Sequence, residues 1–237
     1  MRRKTHRFLA LLLTLALVLP LVVPFASVGA AQMVTPDPIS GVMSWDFSDE
    51  SQLADFTLYQ SATSGFVIQD GILRPTGSDG EMKAMVNAQL QDIEYLSVDI
   101  IPGEAVVNSG IYVGAANAGN TAGQIDALAI LVESMCTGWP DAPNRIDIVS
   151  GSFAPWKEEA RVISETGNGN ALYKNGEKKP VNLRLDFDTD HIMITLSLVE
   201  DPSKSTQTVY YCDAEKMQGQ IGLRSQFSDV GFDNLEI

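Results

Sequence analysis

The sequence predicts an all-β fold, a two-sheet antiparallel β-sandwich, and three observations predict it. Apolar residues recur with period two along segment after segment, Gly/Asn/Asp turns separate those segments, and no internal repeat or low-complexity tract interrupts them. A strand buried on one face alternates in this way because successive side chains point to opposite sides of the sheet.

The N-terminus stands apart from that pattern. Arg2, Arg3, Lys4 and Arg7 form a basic start, an uncharged apolar run extends from Phe8 to Phe25, and small residues follow at Val28, Gly29, Ala30 and Ala31. This is the layout of an export signal over residues 1–31, cut after Ala30 or Ala31. The run is also long enough to serve as an uncleaved anchor, since about 20 apolar residues span a bilayer. Pro20 and Pro24 and the small-residue end favour cleavage. The sequence therefore divides into a signal peptide (1–31), a short Pro-containing leader (32–40) and one sandwich domain (41–237), with a secreted, extracellular product.

Removing the four N-terminal bases leaves 12 Lys plus Arg against 30 Asp plus Glu, a net charge near −18 compared with −14 for the whole chain. So acidic a surface repels phosphate backbones and anionic membranes, which excludes nucleic acid and, after cleavage, a membrane as partners. The charge serves solubility, or some carboxylates take Ca²⁺ or sugar hydroxyls. Cys136 and Cys212 are the two cysteines, and an exported chain can join them in a disulfide or keep two buried thiols.

The clearest strands lie between Val181 and Val199. Val181, Leu183, Leu185 and Phe187 alternate with Asn182, Arg184 and Asp186; after the turn Asp188-Thr189-Asp190, Ile192, Ile194, Leu196 and Leu198 alternate with Met193, Thr195 and Ser197. Two strands joined by a tight hairpin follow. Further strands are expected over Val42–Phe47, Phe66–Gln69, Tyr95–Ile101, Ser109–Ala115, Arg145–Ser150, Ala160–Ser164, Thr206–Tyr211, Gln220–Phe227 and Val230–Ile237. Asp70-Gly71, Ser78-Asp79-Gly80 and Asn175-Gly176 mark turns. Glu81–Asp92 and Gln124–Met135 fit a helix as well as a strand, and are assigned as strands because their neighbours are. Asp213–Gln218 reads as one helical turn.

Four stretches carry a resemblance: SWDFSDESQLADFTLY, FVIQDGIL, NSGIYVGA and the closing GQIGLRSQFSDVGFDNLEI. Together they resemble the concanavalin-A-like lectin/glucanase superfamily, nearest to laminin-G-like domains and to the fructan-binding type of carbohydrate-binding module. The closing G-x-x-G-L-R followed by F-D-N is the most specific part. The resemblance implies a jelly roll and a sugar as ligand. It has one departure: many such domains carry an Arg just after the Ser-Gly strand, where this chain has Gly114.

Sugar binding uses an aromatic face for the apolar side of the ring and carboxylates, amides or Arg for its hydroxyls. The candidates are Trp139, set in a turn by Gly138 and Pro140, with Trp156, Tyr112, Glu133, Asp141 and Arg145. Either tryptophan could instead close over the core, and Trp45 is expected inside it. The resemblance also implies a structural Ca²⁺ where first and last strands meet, matching Asp46, Asp233 and Asn234, although no D-x-D-x-D-G loop accompanies them. No cofactor is otherwise required.

Catalytic chemistry is sparse. After export His191 is the one histidine left, which disfavours a Ser-His-Asp triad or a His-based metal centre. The E-x-D-x-x-E strand of retaining glucanases is absent from the sequence. The function expected is a secreted carbohydrate-binding, lectin-like domain without catalytic activity of its own, its partner a glycan or polysaccharide. The alternative is a secreted glycan-processing hydrolase, of the keto-disaccharide or glycoside type, using a carboxylate pair. A third reading is a structural or adhesive surface protein.

Overall fold

A computed structural model describes residues 42–59, 65–77, 80–88, 93–103, 107–117, 126–134, 145–150, 157–163, 179–226 and 228–237; at 107, 116, 117, 126, 133, 134, 145, 147, 149, 150 and 157–163 it describes the backbone alone. The strands are β1 Ser44–Trp45, β2 Phe56–Tyr59, β3 Phe66–Gln69, β4 Ile72–Pro75, β5 Glu81–Val86, β6 Tyr95–Ile101, β7 Val107–Asn117 and β8 Asp126–Ser134. They continue with β9 Arg145–Ser150, β10 Lys157–Ile163, β11 Val181–Phe187, β12 His191–Leu198, β13 Ser205–Tyr211, β14 Gln220–Gln226 and β15 Gly231–Glu236. Two short 3-10 turns, Glu50–Asp55 and Ala214–Met217, are the helical elements among the described residues.

These strands form two antiparallel sheets. One runs β13-β12-β11-β6-β15-β4-β3 with β1 added alongside β15; the other runs β10-β9-β8-β7-β14-β5-β2. The fold is the all-β sandwich expected from the alternation. In the β11–β12 hairpin each residue facing inward on one strand opposes an inward residue on the other, Leu183 against Leu196 and Leu185 against Ile194, and all four are at most 1% exposed.

The inner faces close over one core, in which Leu73, Val98, Ile100 and Phe232 from the eight-stranded sheet meet Met82, Ile111, Ile130 and Leu223 from the seven-stranded one. Burying each such side chain is worth about 1.5–3 kcal/mol relative to exposure, which is how the sheets are held face to face. The chain closes on itself at its ends: β1 pairs with β15, Ser44 opposite Glu236 and Trp45 opposite Leu235. Trp45 is core as expected, 3% exposed, edge-on to Phe56 at 5.3 Å between centroids and donating from Nε1 to Asp55 Oδ2 at 2.9 Å.

Both ambiguous segments form strands, over Glu81–Val86 and Asp126–Ser134, and Asn87 and Ala88 after the first are bends. In Glu81–Val86 the period-two signal is blurred because every residue of β5 is buried, inner and outer face alike. Asp126–Ser134 forms β8 between β7 and β9. Two four-residue strands went without an expectation, β2 and β4, each too short to display a period.

Gly114 explains the missing Arg. Its φ is +64°, and a Cβ there would lie 1.9 Å from the Lys216 carbonyl oxygen. Left-handed backbone and a main-chain neighbour at that distance admit glycine alone.

Candidate functional site

In β5 the sequence Glu-Met-Lys-Ala-Met-Val sends Met82, Ala84 and Val86 into the core and turns Glu81, Lys83 and Met85 to the outer face of the seven-stranded sheet. In β14, Ile221 and Leu223 point inward, so Gly222, Arg224 and Gln226 share that outer face. In β7, Ile111 and Val113 point inward and Asn108 and Tyr112 outward. Because β14 lies between β5 and β7, with Arg224 opposite Lys83 on one side and Gly110 on the other, these side chains converge.

The centre of the cluster is Glu81. Tyr112 donates its hydroxyl to Glu81 Oε1, and Arg224 Nε lies 3.4 Å from the same oxygen. Arg224 also donates from Nη1 to Asn108 Oδ1 at 2.9 Å and from Nη2 to Gln226 Oε1. Glu81, Lys83, Tyr112, Arg224 and Gln226 are all 6% exposed or less. Glu81 Oε2 is buried and has no hydrogen-bond partner among the described residues. Leaving one buried acceptor bare costs about 1–3 kcal/mol, so a bare carboxylate oxygen beside a well-bonded one marks a place for a donor.

The electrostatics follow from burial. Desolvation pushes the Lys83 ammonium below its ordinary pKa, with Glu81 opposing and Arg224 adding to the shift; its Nζ sits 5.1 Å from the Tyr59 ring centroid. Burial raises the Tyr112 phenol well above its ordinary value, Arg224 opposing and Glu81 adding to the rise. The hydroxyl therefore remains protonated and able to donate. Met85, Tyr112, Ala129 and Leu131 form an apolar patch on the same face, with Tyr59 packed against it. Gly222 is part of that floor, since a Cβ there would strike Met85 Sδ at 2.2 Å.

Of the six expected ligand-binding residues, Tyr112 is in this cluster. Glu133 and Arg145 are directly opposed across β8 and β9, and Glu133 opposes Asn108 across β7 and β8, so the register places both in the row that contains Asn108. Trp139, Trp156 and Asp141 lie outside the described residues. Glu81, Lys83, Arg224 and Gln226 went unforeseen. Their signal was the alternation itself: E-x-K-x-M and G-x-R-x-Q each interleave with core residues, which places their charges on one face.

The expected calcium residues do come together where the first and last strands meet. Asp46 and Asn234 line a cleft of about 340 Å³ with Ser44, Trp45, Leu235 and Glu236. Their atoms are turned to other work, however. Asp46 Oδ1 accepts from Ser48 N at 3.1 Å, Ser48 Oγ at 2.8 Å and Gln52 Nε2 at 2.8 Å. These bonds, Gln52's first, bring the Asp46 pKa down to about 2. Asp233 Oδ1 accepts from Asn234 N at 2.8 Å, and Asn234 Nδ2 donates to Asp99 Oδ2 at 2.9 Å. Burial raises the Asp233 pKa, with Asp99 and Asp46 adding like charge. Among the described residues no three acids, histidines or cysteines are grouped to hold a metal. Ca²⁺ wants 6–8 oxygens, and here Asp46 Oδ1 and Asp233 Oδ1 already accept hydrogen bonds from the protein.

Cys212 carries a free, half-buried thiol whose pKa burial pushes up, and its expected partner Cys136 lies outside the described residues. His191 sits at the start of β12 with Nδ1 2.7 Å from Asp190 Oδ1 and its ring against Tyr211.

No family model and no curated protein sequence matches the chain. Solved structures do. Lectin II from Ulex europaeus is similar at 11% identity and a TM-score of 0.57, over 82% of this chain and 96% of that one. A lectin from Bauhinia forficata in complex with GalNAc is similar at 9% and 0.54, over 82% and 96%. The CBM2 module of the evolved Dit of Lactobacillus casei BL23 phage J-1 is similar at 11% and 0.51, over 82% and 93%. The chain therefore shares the two-sheet β-sandwich fold of these proteins, and at these identities the likeness is one of fold.

Proposed function

We propose that the chain is an exported carbohydrate-binding domain that holds a sugar on the outer face of the seven-stranded sheet. The observation that carries this reading is the Tyr112–Glu81–Arg224–Gln226–Asn108 network with its apolar border. It combines the two things a sugar asks for: planar charged and amide groups for hydroxyls, and aromatic and aliphatic carbon for the C–H face of the ring. The solved structures that share this fold include lectins and a carbohydrate-binding module, which supports the same conclusion. Fold alone would not, because one fold hosts many functions.

A glycosidase needs two carboxyl groups about 5–9.5 Å apart, and the register puts the backbone of Glu133 in the row of Asn108 on this face, so hydrolysis by Glu81 and a second acid is the alternative reading. Binding is preferred because Glu81 is tied to Tyr112 and Arg224 through one oxygen. In the site as proposed, Glu81 accepts hydrogen bonds and Arg224 donates them, with no covalent step. Glu133 and Arg145, whose backbone lies in the row of Asn108, belong to the proposal as further contacts, and so do Trp139, Trp156 and Asp141, which lie outside the described residues.

The test is a glycan array with the chain from Gln32 onward, repeated with Arg224→Met. Selective binding that falls at least tenfold in the variant, with the thermal melt retained, is the expected result. Binding to no glycan ends the carbohydrate reading and leaves the structural or adhesive one. Export is tested separately by N-terminal sequencing of the secreted product, which should begin at Ala31 or Gln32; an intact Met1 would overturn cleavage.

A further inference from the structure

We infer that Glu81 Oε2 is the anchor of the sugar site, receiving a hydroxyl of an uncharged sugar whose adjacent hydroxyl takes a hydrogen bond from Arg224. This rests on the carbohydrate-binding reading and specifies the chemistry recognised: a vicinal diol on a neutral ring.

The argument is one of loading. Both described partners of the carboxylate, the Tyr112 hydroxyl and Arg224 Nε, address Oε1. Oε2, in a side chain 3% exposed, has none among the described residues. A guanidinium has five N–H groups in a fixed fork; Nε faces Glu81, one bond from Nη1 goes to Asn108 and one from Nη2 to Gln226. Arg224 also hydrogen-bonds Tyr112, so at least one of its five N–H groups remains to offer among the described residues. A bare acceptor next to a spare donor matches a pair of neighbouring hydroxyls, one donating and one accepting. Asn108 and Gln226 hold the guanidinium plane and Tyr112 holds the carboxylate, so neither group has to reorient on binding.

Glu81, Lys83, Tyr112 and Arg224 are buried, so a sugar must open the face to reach them. Binding that waits on a conformational change has a low association rate, below the ordinary 10⁵–10⁷ M⁻¹s⁻¹ for unhindered docking.

The experiment is titration calorimetry of the chain from Gln32 onward with glucose, galactose, mannose and fructose. It is followed by each monodeoxy analogue of whichever sugar binds, on wild type and Glu81→Gln. One deoxy position should lose at least tenfold on wild type and less than threefold on Glu81→Gln, the coupling expected when that hydroxyl and that oxygen are partners. Because Glu81→Gln could perturb folding, the wild-type side-chain carboxyl ¹³C resonance of Glu81 is followed during the same titration, and it should shift on saturation. A sugar that binds with no coupling at any hydroxyl, or without moving that resonance, overturns the anchor while the carbohydrate reading stands. Failure of all four sugars to bind overturns the anchor, and the glycan array then decides the carbohydrate reading.

Discussion

The outer-face network and the corner between the first and last strands use carboxylates in opposite ways. Asp46 is exposed and its ionised form is held by local donors, whereas Glu81 is buried with one oxygen bonded and one bare. For Asp46 the folded pKa, about 2, lies below the ordinary aspartate value of 3.8. A depressed carboxylate stabilises the fold above its unfolded pKa and loses that contribution as the pH falls through the folded one. Asp46→Asn should therefore be less stable than wild type at pH 7, with the gap closing between pH 4 and 2. Urea midpoints across that range measure it, and a gap independent of pH would refute the assignment. Asp233, with its pKa raised, acts in the other sense and costs stability once ionised, so it softens the acid limb of the wild-type curve. The same corner should be indifferent to calcium: millimolar Ca²⁺ against chelator is expected to leave Tm unchanged within about 1 °C, because an ion bound only by the native state would raise it. At Gly114 the left-handed φ and the Lys216 carbonyl leave no room for a side chain such as Arg. Gly114→Arg should lose more than about 2 kcal/mol in a urea melt, and an unchanged midpoint would show that this strand yields.

At the level of strands, parity decides what a substitution costs. On β12, Ile194 is fully buried while Ser197 lies on the other face, partly exposed. Ile194→Ala should cost about 2–5 kcal/mol and Ser197→Ala within about 0.5 kcal/mol; equal losses in denaturant titrations would mean that the two faces are not distinct. The hairpin of β11 and β12 could be read in the sequence to the residue, because one buried face and one wet face print the period directly. β5 could not, since Glu81–Val86 is buried on both faces and its alternation of charge and carbon looks as much like a helix. The site suffered the same loss. Tyr112 stands out in the sequence for its ring, but a lone Arg224 or Glu81 in a strand looks like an ordinary solvent-facing charge. Whether it is one depends on which strands become neighbours, and Arg224 meets Asn108 across 116 residues of sequence. Local patterning carries the face on which a residue lies but not the partner across the sheet.

For the molecule as a whole, the last strand is among the most connected pieces of the fold. β15 lies inside the eight-stranded sheet, with β6 on one side and β4 and β1 on the other. Phe232, fully buried, opposes Leu73 of β4 and Ile100 of β6. β1 has no other strand partner among the described residues than β15. Contacts this distant in sequence must form before any smaller unit is rewarded, which makes such sandwiches slow to fold, on the millisecond-to-second scale or longer. Ending the chain after Val230 would uncover both flanking strand edges and a core lined by Leu73, Val98 and Ile100, and unpaired backbone polar groups would face the gap. The expected product is an unfolded or aggregating chain with collapsed amide dispersion in its ¹H–¹⁵N spectrum. By contrast, Tyr211→Thr on the outer strand β13, where the ring is 73% exposed, should leave the spectrum dispersed. A truncated chain that kept its dispersed amides would show that the seven-stranded sheet and its outer-face site fold without the closing strand. That result would separate the stability of the proposed sugar site from the closure of the sandwich.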